Sequence, residues 1–128
     1  MRMPLRISPE TFDELVVQAL ESLPDEIRDK LDNVAVMVED YPTQAQLRAG
    51  GVGRGMLLFG LYEGVPLTGR TSGYNMVMPD RITLFREPIL MACRSMEEVR
   101  KTIAHTVLHE IAHHFGISDE RLREIGAY

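Results

Sequence analysis

Cysteine is all but missing from this chain, with Cys93 the sole example in 128 residues. An internal disulfide framework is thereby excluded, and a lone thiol of this kind reads as a small filler in a reducing compartment. Long hydrophobic runs are missing too: no stretch approaches the roughly 20 apolar residues that span a bilayer. The N-terminal residues Met1 to Glu10 include arginines but lead into no apolar segment of secretion-signal length. A cytoplasmic protein with no membrane partner is therefore expected. Positive charge is scarce, with 14 Lys and Arg against 19 Asp and Glu and a net charge of −5. The basic residues are scattered, so nothing supplies the cationic face that a nucleic-acid partner would need.

What is present is the balance of an ordinary globular protein, 45% hydrophobic and 26% charged, which suits one domain over residues 1–128. Ser8 and Pro9 mark a helix start, and Phe12, Leu15, Val16, Ala19, Leu20 and Leu23 then recur at steps of three and four. A short helix is expected from Asp25. Val34 to Val38 reads as a strand buried on both faces, Met56 to Tyr62 as a second strand and Arg81 to Phe85 as a third. Gly50 to Gly55 lacks the Lys-Ser/Thr pair of a phosphate loop and reads as a flexible turn. The stretch Glu63 to Val77, rich in Gly, Pro and Thr, is long enough to form a cleft wall. Pro88 is expected to break the chain. Ser95-Met96-Glu97-Glu98 has capping-box spacing and opens a long helix whose apolar arc runs from Val99 to Phe115, with Gly116 placed as its left-handed end. Ser118 then caps a last short helix through Ile125.

The chemistry lies in that long helix, where His109-Glu110-Ile111-Ala112-His113 matches His-Glu-x-x-His. Four residues along a helix return a side chain to within about 40° after a rise of about 6 Å, so His109 and His113 share a face and can hold one zinc ion. Glu110 sits about 100° round from His109, placed to take a proton from a water that the metal activates and not to be a ligand itself. His105 lies about 12 Å along the axis from His113, too far to share the ion, and reads as a supporting or ordinary histidine. A catalytic zinc takes three protein ligands. Gly116 lets the chain reverse, after which Asp119 gives His-Glu-x-x-His-x-x-Gly-x-x-Asp, with Glu120 and Glu124 as alternative third ligands. Asp119 could also serve simply as an acid in the first turn of the last helix.

The segment His109 to Leu122, HEIAHHFGISDERL, resembles the signature of the small bacterial zincin-like metallopeptidases called mini-zincins, which are similar to metzincins in the glycine and the third ligand after it. The resemblance extends through Leu58 to Thr68 and Pro79 to Phe85. It implies an α+β fold, a minimal zincin core in which a small twisted, mostly antiparallel sheet packs on helices that include the long motif helix, with substrate along the sheet's edge strand. Two departures stand out: aspartate is less usual than histidine at the third position, and no methionine follows Met96 to build a turn below the metal.

The expected function is zinc-dependent hydrolysis of a peptide or protein substrate, with one Zn²⁺ on His109, His113 and Asp119, and Glu110 as general base. Tyr62, Arg70 and Tyr74 flank the expected cleft as oxyanion-stabilising candidates. The competing class is a metal-binding regulatory or interaction module on the same scaffold, which so small a chain makes plausible because little of it remains to form specificity pockets. Oligomeric state is not encoded in any of these patterns.

Overall fold

The computed structural model describes residues 5–51, 56–64 and 79–126. Most of the stretch from Glu63 to Val77, with Arg70 and Tyr74, lies outside them, as does much of the glycine-rich turn. Helix α1, Pro9–Glu21, starts as its cap predicts: the Thr11 amide donates to Ser8 Oγ at 3.1 Å. Its Phe12, Leu15, Val16 and Ala19 are buried. Helix α2, Asp25–Lys30, and a single 3-10 turn, Leu31–Asn33, lead into strand β1, Val34–Glu39.

Strands β2, Gly60–Glu63, and β3, Asp80–Phe85, complete a three-stranded sheet of order β1-β3-β2. The sheet is mixed. β2 pairs antiparallel with β3, whereas β1 pairs parallel with it, Val34 opposite Asp80 through Glu39 opposite Phe85. The chain between Glu39 and Asp80 is ample for the crossover that a parallel pair requires. Among the described residues β1 is an edge strand, and it is only half-buried where enclosure on both faces was expected, with Met37 46% exposed. β2 starts later than Met56, because Met56 and Leu57 are exposed and outside the ladder. Phe59 still lends its carbonyl to the Phe85 amide at 2.9 Å.

Two helices escaped the sequence reading. Helix α3, Gln44–Ala49, is opened by a reciprocal box in which the Gln46 amide donates to Thr43 Oγ1 and the Thr43 amide to Gln46 Oε1. Helix α4, Arg86–Ala92, carries Pro88 in its first turn, where a missing amide costs nothing. Helix α5, Met96–Phe115, and helix α6, Asp119–Glu124, end the described chain. α1 packs chiefly on α5, which β2 and β3 also contact. Between them is one core in which Phe12, Ile27, Ile82, Leu84, Ile89, Val99, Ile103 and Ile111 are fully buried. Each such side chain contributes about 1.5–3 kcal/mol by leaving water. Cys93 fills the same core, its Sγ 3.4 Å from Thr102 Oγ1. Among the described residues no helix is long and apolar enough to cross a membrane.

Candidate active site

The site is built on α5, and both ends of that helix are fixed by local chemistry. Ser95 Oγ accepts from the Glu98 amide at 3.1 Å, while the Glu98 carboxylate accepts from the Arg94 amide, one residue earlier than a reciprocal box would place it. At the other end Gly116 adopts φ 68, ψ 30, and the Ile117 amide reaches back to the Ala112 carbonyl at 2.8 Å. That is the Schellman closure, which satisfies a last-turn carbonyl and turns the chain away from the helix axis. Val99, Ile103, Val107, Leu108, Ile111 and Ala112 face the core. On the other side His109 and Glu110 are half-buried and His105 and His113 exposed.

The helical spacing brings His109 and His113 together as expected, with ring centroids 6.3 Å apart and planes at 89°. His105, itself exposed, packs its ring 4.2 Å from that of His109. The pKa of His109 lies below the ordinary histidine value, chiefly because burial disfavours the imidazolium, and further because His105 and His113 would repel it. A neutral imidazole is the form that can donate a lone pair to a metal. Asp119 acts in the opposite sense on His109, so its charge is felt at that imidazole. It stands at the start of α6, whose cap is Ser118 Oγ accepting from the Arg121 amide at 3.1 Å.

Of the alternatives to Asp119, Glu124 is drawn away by Arg121 at 3.0 Å, the same guanidinium that holds Glu26 at 3.0 Å. Glu120 is exposed on α6. Among the described residues no three His, Cys, Asp or Glu side chains are gathered tightly enough to hold an ion in their present rotamers.

Glu110 is tied across to the sheet, its Oε1 accepting from the Tyr62 backbone amide at 2.7 Å. Tyr62 is itself held on both sides. Its hydroxyl donates to Asp80 Oδ2 at 2.6 Å, and its ring stacks on His114, centroids 3.9 Å apart and planes within 18°. His114 Nε2 lies 3.8 Å from the same Asp80 oxygen. Burial first, then the hydrogen bond to Asp80 and its charge, push the Tyr62 phenol far above its usual pKa. The hydroxyl proton is thus held by Asp80 in this arrangement. Nothing in the sequence singles out Asp80, and His114, about 100° round the helix from His113, reads there only as an ordinary histidine. Their partners are distant along the chain, and only the neighbouring motif could have drawn attention to His114.

A long helix carrying two imidazoles and a carboxylate, laid against strand β2 of a small sheet, is a metallopeptidase-type scaffold. Residues 31–127 match the family model described as zincin-like metallopeptidase, and the chain belongs to that family. No curated protein matches it. Among solved structures it is similar to a conserved hypothetical protein from Thermo thermophilus, at 24% identity and a TM-score of 0.56, covering 85% of this chain and 94% of that one. At that identity the likeness shows a shared fold.

Proposed function

We propose that the chain is a zinc-dependent peptidase in which His109, His113 and Asp119 hold the ion and Glu110 is the general base. Two imidazoles and a carboxylate are the donor types of a catalytic zinc site, and three protein ligands leave a position open for chemistry. His109 and His113, one helical turn apart with ring centroids 6.3 Å from each other, would be the two imidazole donors and Asp119 the carboxylate. When bound, zinc supplies Lewis acidity towards a carbonyl and acidifies water.

The protein's own part falls to Glu110, and its bond to Tyr62 is the observation that carries the reading. With Oε1 occupied by the amide, the carboxylate is fixed in orientation and the second oxygen is left to accept a proton from the attacking water. Glu110 then returns that proton to the leaving amine. The substrate is a peptide or unstructured protein segment, bound beside β2 with the scissile carbonyl near Glu110.

The test is hydrolysis of an unstructured protein by the zinc-loaded full chain, read by mass spectrometry, with a chelated control. Glu110→Gln should keep zinc and lose turnover by at least about 10²-fold. Equal rates in parent and Glu110→Gln would overturn the proposal.

A further inference from the structure

Strand β2 and helix α5 run side by side in a register that repeats three times. A Cβ on Gly60 would stand 2.7 Å from Thr106 Cγ2. Two residues on, the Tyr62 amide meets Glu110 at 2.7 Å. Two further, just past the end of the strand, a Cβ on Gly64 would stand 3.6 Å from Asp80 Oδ1 and 3.8 Å from His114 Cε1. Positions 60, 62 and 64 thus lie along helix positions 106, 110 and 114. Two strand residues advance about 6.6 Å and four helical residues about 6.0 Å, so the match survives all three contacts.

The contact at Gly60 is the tightest, and the helix cannot easily yield there. Thr106 Oγ1 donates to the Thr102 carbonyl at 2.7 Å, which fixes the rotamer and aims Cγ2 at the strand. An alanine at position 60 would be about 0.7 Å short of the 3.4 Å where ordinary contact begins, so the strand itself must move. At the centre of the segment, the Tyr62 side chain is clamped by Asp80 and His114, which leaves its backbone amide no freedom to follow a displaced Glu110.

We propose that Gly60-x-Tyr62-x-Gly64 is a backbone cradle that positions the Glu110 carboxylate, holding Oε1 and turning the other oxygen to the proton. Gly60, Tyr62 and Asp80 are positioning residues, and the proposal rests on the reading of Glu110 as base. It gives a physical role to the conspicuous sequence GLYEG, which carries no reactive group of its own at the metal.

The test compares the parent with Gly60→Ala, Thr106→Ser and the double variant, all as full chains. Serine keeps the hydroxyl bond and removes the methyl that makes the new Cβ's shortest contact, leaving the lesser contacts with the Thr83 carbonyl oxygen at 3.2 Å and Leu84 Cδ2 at 3.3 Å. In the metal-free parent the Tyr62 amide should exchange slowly with solvent and resonate downfield, and Glu110→Ala should abolish both features. Gly60→Ala should weaken them, and in the zinc-loaded protein lower kcat by about 10²-fold with KM little changed, since displacement by an ångström can cost that much. Thr106→Ser alone should match the parent, and the double variant should recover most of both losses.

An amide signature indifferent to Glu110→Ala would overturn the cradle. So would a Gly60→Ala protein that loses the signature yet keeps the parental kcat. A zinc-loaded parent that cleaves nothing overturns the peptidase reading instead, and the amide signature then decides the cradle by itself.

Discussion

Replacing Gly116 with alanine isolates the turn that separates the histidine pair from Asp119. Gly116 sits at φ +68 and a Cβ there meets nothing within 4 Å, so the substitution has a conformational cost and no steric one. Left-handed backbone costs an L-residue about 1–2 kcal/mol. Alanine recovers about 0.4–1 kcal/mol by restricting the unfolded chain. The net loss should therefore be about 1 kcal/mol, a fall of about 3–5 °C in Tm for a domain of this size. Asparagine, which tolerates this region, should cost less than alanine. Gly51, at φ +67 and equally open, is the internal control and should cost the same when changed to alanine. Urea denaturation gives the stabilities and calorimetric titration the zinc affinities. Zinc binding should weaken in Gly116→Ala and remain unchanged in Gly51→Ala, because only the first turn delivers Asp119. A loss above about 3 kcal/mol, or equal zinc affinities in the two variants, would refute the reasoning.

Ile111 is fully buried on the core face of α5, between the two histidines in sequence; Ile111→Ala should cost about 2–5 kcal/mol in urea denaturation, and a loss under about 1 kcal/mol would mean that this face is not core. His109 binds fewer protons folded than unfolded, because burial lowers its pKa from 6.5. The stability of the metal-free protein should therefore be lost as pH falls from 6.5 through the folded value, and regained as pH rises. His109→Gln should flatten that slope, and identical pH profiles for the two proteins would contradict the assignment. Tyr62→Phe and Asp80→Asn should couple by about 1 kcal/mol in a double-mutant cycle, and additive losses would show that their 2.6 Å contact carries no net stability.

The helices that were legible are those whose ends carry their own signals. Ser8 with Pro9, Ser95, Gly116 and Ser118 each act within three or four residues, and the structure honours all four. α3 had an equally local signal in Thr43 and Gln46, obscured because Asp40 to Pro42 reads as the end of a strand and masks the helix start just beyond it. α4 had none: Phe85 gives no side-chain cap, and the Glu87 amide is satisfied by the Asp40 carbonyl far away in sequence. Strand burial misled for a similar reason, since the apolar run of β1 says nothing about its place at the sheet edge.

At the site the same division holds. His109, Glu110 and His113 follow from helical periodicity alone. The Tyr62 bond to Glu110 spans 48 residues and that from Tyr62 to Asp80 spans 18, so both arise from the pairing of β2 with β3 and the packing of α5. Only the glycines at positions 60 and 64, alternating with Tyr62, leave a trace of that approach in the sequence.

The most direct test of the metal site is a crystal structure of the zinc-loaded full chain. The expected result is one ion held by an imidazole nitrogen of His109, an imidazole nitrogen of His113 and the Asp119 carboxylate, with Glu110 beside it and still bonded to the Tyr62 amide. An ion bound without His113, or an Asp119 carboxylate facing solvent while another group completes the site, would contradict it.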